Sequence, residues 1–298
     1  MSILADRLIH LSTETARAQV YPERGLQLFG FQVLRGRDWV EAIYAPRDAI
    51  EPADRRYGNP VLFPAVDVSN AGQPDSWLLE GANLPMPSHG WARNVYWQIE
   101  QASSDAVTAV LVPHPGFRLA FPFDFDLRIT YSLQSDQLVL DCVLRNLGMH
   151  AFPYAFGLHP YLRSPLQAGE VARCLVDLPR GTRLRSEDGW RSIISEPFAA
   201  RTLAVNDSLL PGSIVLADTR LTWLQVRDEE AGLATRVSVE GSEEAFPVWV
   251  AWASSPNAGY VCLEPWTDAP NALNRSGTRQ LASGQVHRYR MSISVHSL

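Results

Sequence analysis

Apolar residues fall on every second position through Leu127-Arg-Ile-Thr-Tyr-Ser-Leu133. The same beat returns at Leu138, Leu140, Cys142 and Leu144, and at Tyr289, Met291, Ile293 and Val295. A period of two sets one face of an extended chain against a core and the other in water, the mark of antiparallel sheet. Val237 and Val239 repeat it. Turn clusters at Gln134-Ser-Asp-Gln137, Arg145-Asn-Leu-Gly148 and Ser283-Gly284 separate the runs at intervals suited to a sandwich or barrel. Long helical periodicity is missing, and no linker, composition break or fixed-period repeat divides the chain. The pattern predicts an all-β protein, one large antiparallel β-sandwich domain over residues 1–298.

Composition narrows the chemistry. All 26 basic residues are arginine, against 32 acidic ones, for a net charge of −6. Without lysine, Schiff-base aldolases, pyridoxal-phosphate enzymes and hydrolases with a phosphate-loop lysine are excluded. An acidic balance with no basic block also argues against a nucleic-acid partner. The densest apolar window, Phe246 to Ala253, is far short of a membrane span, and the opening MSILADRLIH carries Asp6 and Arg7 inside its apolar stretch, unlike a secretory signal. These features predict a soluble cytosolic protein with no membrane partner. Cys142, Cys174 and Cys262 share no spacing and form no CxxC pair, so buried free thiols are expected.

Three segments break the strand pattern by packing polar residues among glycine, proline and aromatics: Ser88-His-Gly-Trp-Ala-Arg-Asn94 with Trp97, Pro153-Tyr-Ala-Phe-Gly-Leu-His-Pro-Tyr161, and Val261-Cys-Leu-Glu-Pro-Trp-Thr267. Each sets an ionisable side chain beside aromatic rings. That mixture suits a sugar, whose flat apolar faces stack on rings while its hydroxyls need charged or amide partners. Glu264, after an apolar run and before proline, either caps amides or pairs with an arginine, or else is a partly desolvated base. His159 precedes Pro160, which cannot donate to a central ladder, so the strand must end or bulge there; the imidazole is either a satisfied structural group or a proton carrier. His89 is open to the same two readings. His114 in Val-Pro-His-Pro-Gly reads as a turn residue, and His10, His150, His287 and His296 have no supporting context.

Taken in order, these segments resemble the aldose 1-epimerases, also called galactose mutarotases, and especially the branch that includes the hexose-6-phosphate epimerase-like proteins. The resemblance runs from Tyr57-Gly-Asn-Pro-Val-Leu-Phe-Pro64 through His89-Gly-Trp-Ala-Arg93, Phe121-Pro-Phe-Asp-Phe125, the histidine segment, Phe246-Pro-Val-Trp-Val250 and Cys262-Leu-Glu-Pro-Trp266 to Asn271–Asn274. It implies the mutarotase-like β-sandwich and interconversion of the α and β anomers of a hexose or hexose phosphate, with no cofactor and no metal. Glu264 would take the proton of the C1 hydroxyl and His159 would protonate the ring oxygen, the two exchanging roles on closure. His89 and Arg93 match the family's sugar-binding motif, Arg56 an arginine of the same branch, and Asp207 a substrate-binding aspartate. Trp266 and Trp91 would be stacking walls. The partner implied is a small sugar or sugar phosphate, bound by a monomer or homodimer. Two departures bear on which sugar is bound: Leu162 and Arg163 replace an aromatic and an asparagine, and Asp67-Val-Ser-Asn70 stands where the galactose-specific branch has an arginine.

Three other readings compete. A glycoside hydrolase needs two paired carboxylates, and only Glu264 has a distinctive setting. A non-catalytic sugar-binding or regulatory protein on the same fold has no need of both His159 and Glu264. A metal-dependent barrel enzyme with His89, His159 and Glu264 as ligands has no His-x-His pair to seed it. The epimerase reading requires His159 and Glu264 to converge on one pocket, with a pyranose-sized gap between them.

Overall fold

A computed structural model describes residues 7–46, 57–217, 220–240 and 245–298. The alternating runs form the strands expected of them. Phe125–Gln134 and Gln137–Asn146 pair as a hairpin whose tight turn holds Ser135 at a left-handed φ of 57°. Val286–Ser297 lies between Gln137–Asn146 and Leu233–Glu240, so that Leu140, Met291 and Val239 stand side by side on the buried face. These strands are the middle of a nine-stranded antiparallel sheet.

An eight-stranded sheet faces it. Its path runs Ile194–Phe198, Gly181–Arg185, Ile214–Ala217, Val248–Trp252, Tyr260–Trp266, Gly157–Leu158, Val61–Leu62, with Tyr161–Arg163 also paired to Tyr260–Trp266. Between the sheets lies a contiguous apolar cluster that takes in Trp97, Phe117, Leu140, Val261 and Leu263. Among the described residues the one α-helix is Pro115–Ala120, capped by the His114 ring, which accepts the Phe117 amide at 3.1 Å; His114 is therefore the turn residue its neighbours suggested. All three cysteines are free and buried, as expected. No helix among the described residues is long and apolar enough to cross a membrane.

The strand Tyr260–Trp266 is buried at every residue, so no alternation is visible in its sequence. Its two faces still differ. Val261 and Leu263 enter the inter-sheet core, whereas Cys262 and Trp266 belong to two smaller clusters on the opposite face. Glu264 shares that second face by strand periodicity. Val248 and Val250 line it from the neighbouring strand, with Trp252 packed against them.

Candidate active site

Register brings the two expected proton carriers together. Gly157 pairs with Trp266 and Tyr161 pairs with Cys262, both in one antiparallel register, which sets His159 opposite Glu264. Pro160 interrupts the ladder there, as the sequence required. The His159 amide leaves the sheet and donates to Asn59 Oδ1 at 3.1 Å and to the Pro60 carbonyl at 3.2 Å. Across the break, His159 Nε2 lies 3.4 Å from Glu264 Oε2, with His159 only 5 % and Glu264 only 2 % exposed.

That separation corrects one expectation. No pyranose-sized gap parts the two groups; they touch. The physical reason is the register: residues 159 and 264 stand directly opposite across one antiparallel pairing, where side chains on the same face are neighbours.

Aromatic neighbours fix the imidazole. His159 stacks on Tyr161 with centroids 4.8 Å apart and planes 7° apart, and Trp252 meets it edge-on at 5.8 Å and 90°. His89 approaches from a third side at 5.3 Å. His89 is itself clamped by Asp67: its amide donates to the Asp67 carbonyl at 2.6 Å, and its Nδ1 accepts the Asp67 amide at 3.0 Å. Because Nδ1 is an acceptor, a neutral His89 carries its proton on Nε2. His89 and Gly90 both take left-handed φ, 63° and 72°, and a Cβ on Gly90 would collide with the Phe63 carbonyl. Trp266 packs 6.0 Å from His89, and Gly157 is glycine because a Cβ there would meet Trp266 Cδ1 at 2.5 Å.

The electrostatics set burial against local charge. Burial pushes the Glu264 carboxyl well above the usual carboxylate range, and the like charge of Asp67 adds to it; the Trp266 indole and Arg93 oppose. Burial lowers His159 to about 3, helped by Arg93. His89 is held neutral by burial, then by Arg93 and His159. Asp67 is pushed up to about 6 by burial, with the Val68 amide opposing. Desolvation disfavours whichever form is charged, so burial drives both groups of the pair at 3.4 Å toward their neutral forms, a carboxylic acid and an imidazole, with one transferable proton between them. Arg93, whose Nη2 donates to the Ser88 carbonyl at 2.8 Å, supplies the positive field at Glu264 and both imidazoles.

The other expected residues make the following contacts. The Trp91 ring stacks against Phe117 at 6.1 Å and meets His114 edge-on at 5.3 Å, packed against the inter-sheet core. Asp207 serves its own turn, accepting the Leu209 amide at 2.8 Å. Trp266 is buried beside Gly157 and meets the His89 ring edge-on, so it offers no open face. Arg56 lies outside the described residues. Sequence reasoning missed Asn59, Asp67 and Trp252. Asn59 lies within the quoted glycine-proline segment, Asp67 three residues beyond it, and Trp252 follows the quoted Phe246–Val250 run by two residues on the same strand face, the available signal.

His159, Cys262 and Glu264 also place one ligand atom each within 4.8 Å of one another. Burial raises both the Cys262 thiol and Glu264 well above their ordinary values, so a cation held there would have to displace a proton from each. His89, the third ligand imagined from sequence, spends Nδ1 on Asp67.

Comparison with known proteins agrees with this architecture. The aldose 1-epimerase family model matches residues 7–294. The chromosomal LacX protein of Lactococcus lactis subsp. lactis is 22% identical over 244 residues, covering 74% of this chain and 78% of that protein. Among solved structures, the Slr1438 protein of Synechocystis sp. PCC 6803 superposes with a TM-score of 0.81 at 23% identity, over 98% of this chain and 96% of that one. A galactose mutarotase-like protein from Lactobacillus casei gives 0.78 at 20% identity, over 97% and 100%. At these identities the structural likeness establishes the fold.

Proposed function

The chain belongs to the aldose 1-epimerase family, and from that premise we propose that it interconverts the α and β anomers of a hexose or hexose phosphate in the His159–Glu264 pocket. The observation that carries this reading is the register pairing that sets Nε2 and Oε2 3.4 Å apart with burial driving their proton affinities in opposite senses. Ring opening removes one proton from the C1 hydroxyl and delivers one to the ring oxygen. A pair that holds a single proton has one seat filled and one free, which is what the step consumes and restores. One group takes the hydroxyl proton while its partner protonates the ring oxygen; the C1–ring oxygen bond breaks and C1 becomes a carbonyl. Rotation about C1–C2 presents the other carbonyl face, and the same two transfers in reverse close the ring.

Each positioned transfer contributes about 10²–10⁴ in rate, ample for a reaction that already proceeds unaided in water. His89, protonated on Nε2, and Arg93 supply donors that polarise the ring oxygen or hold hydroxyls. Redox chemistry and a nucleophile are not needed by this path. The test adds the protein to freshly dissolved α-glucose, α-galactose and their 6-phosphates and follows optical rotation. Acceleration over buffer for at least one aldose is the expected result; rates equal to buffer across a broad aldose panel reject it.

A further inference from the structure

Asp67 stands out as a side chain that the path above leaves unused. It is a non-glycine residue at φ 50°, in the left-handed region that aspartate, asparagine and glycine tolerate best. Strained backbone of this kind persists where the surroundings over-determine it. Here the constraint is the two-bond clamp to His89, which fixes Asp67 against the ring that borders His159. The clamp uses only main-chain atoms of Asp67. Its carboxyl accepts the Val68 amide and, among the described residues, has no ion-pair partner; it is partly open to solvent, and its charge adds to burial in raising the Glu264 carboxyl. Asp207, by contrast, is committed to its own turn.

We infer that Asp67 is the second working carboxylate of the pocket: it accepts hydrogen bonds from a hydroxyl of the sugar held beside Glu264, and it selects an uncharged polyol edge there. The inference rests on the anomer-exchange reading for the identity of the bound ring. A carboxylate accepts from two hydroxyl groups at once and repels a phosphate or a uronate carboxylate at the same place, so any phosphate of the substrate must point away from this wall. Asp67 thus acts as a specificity-determining residue, in the segment Asp67–Asn70 that stands where the galactose-specific branch has an arginine.

A second consequence follows from charge. Among the described residues, the charged or titratable groups that act on Glu264 are Asp67, Arg93, His159, Cys262 and Tyr161. Of these, Asp67 and Arg93 act oppositely, so removing the Asp67 charge eases ionisation of Glu264.

The experiment compares Asp67→Asn, which keeps shape and tolerance of left-handed φ, with Asp67→Gly, which removes the side chain with no backbone penalty. Binding is read by saturation-transfer NMR on aldoses lacking one hydroxyl at a time, and turnover by polarimetry across pH. In the wild type, one deoxy sugar is expected to lose about 10- to 100-fold in affinity, the range for a hydrogen bond to a charged group. D67G should lose the same factor on the parent sugar and nothing further on that deoxy sugar. D67N should shift the high-pH limb of kcat/KM, where the pair gives up its one proton, to lower pH. Additive losses in D67G across every deoxy sugar, or a D67N profile superimposable on wild type, overturn the inference. Sugar binding that depends on Asp67 without any turnover retires the anomer-exchange reading and leaves this one standing. Unimpaired binding and turnover in D67G retire this one alone.

Discussion

Replacing Glu264 by glutamine changes one atom pair in a fully packed place and separates the two things the carboxyl does. Glutamine fits the same space 3.4 Å from His159, but it neither takes nor gives a proton at catalytic pH. Loss of one positioned transfer is worth about 10²–10⁴ in rate, or roughly 3–5 kcal/mol of barrier at about 1.36 kcal/mol per decade. The stability effect has the opposite sign. In the folded chain burial raises Glu264 well above its ordinary value, so between the unfolded value and the folded one the native state binds more protons than the unfolded chain. Wild-type stability therefore falls as pH rises through that window, by about 1.4 kcal/mol per pH unit, and glutamine has no such loss. The variant should match wild type near pH 4 and be more resistant to urea at pH 7, while losing nearly all acceleration in polarimetry. A variant that keeps its rate, or one destabilised equally at both pH values, would refute the assignment of Glu264 as a buried, functionally retained carboxyl.

His159→Asn should also abolish acceleration, and its stability gain should appear on the acid side. The folded imidazole titrates near 3, so wild type loses stability as pH falls below its unfolded value of about 6.5, by roughly 2 kcal/mol at pH 5, a loss absent in the variant when urea curves at pH 5 and 7 are compared. Gly157→Ala should cost about 1–3 kcal/mol, because its Cβ must displace Trp266 from 2.5 Å; a midpoint within experimental error of wild type would contradict the packing at that crossing. Native protein should react slowly with a thiol reagent such as dithionitrobenzoate, since all three cysteines are buried and burial raises Cys142, Cys174 and Cys262 above the ordinary thiol value; rapid labelling without denaturant would count against the core as described.

The fold was legible because its signal is local. Alternation along Phe125–Gln134, Gln137–Asn146 and Val286–Ser297 is a property of one strand with one wet face, and turn residues between them act within a few positions. The break at His159 was legible for the same reason, since proline removes its own ladder donor wherever it stands. His159, Glu264, His89 and Arg93 were found through their polar-aromatic setting. Trp91 shares that setting, and only the fold shows its ring stacked on Phe117; Asp207 has no aromatic neighbour in its segment, and the fold shows it accepting the Leu209 amide of its own turn.

What tertiary structure alone decided is the meeting of groups far apart in the chain. Sheet register, a cooperative outcome of both large sheets, set His159 opposite Glu264 and made them touch. The strand that carries Glu264 is buried on both faces, so periodicity was silent about which way the carboxyl points. Asp67 became visible only once a loop from residues 63–67 was hydrogen-bonded to one from residues 89–92. Local patterning selects elements because its energies act within a turn or a strand, whereas proton affinities depend on burial and on neighbouring charge, and neither exists until the chain has closed around them.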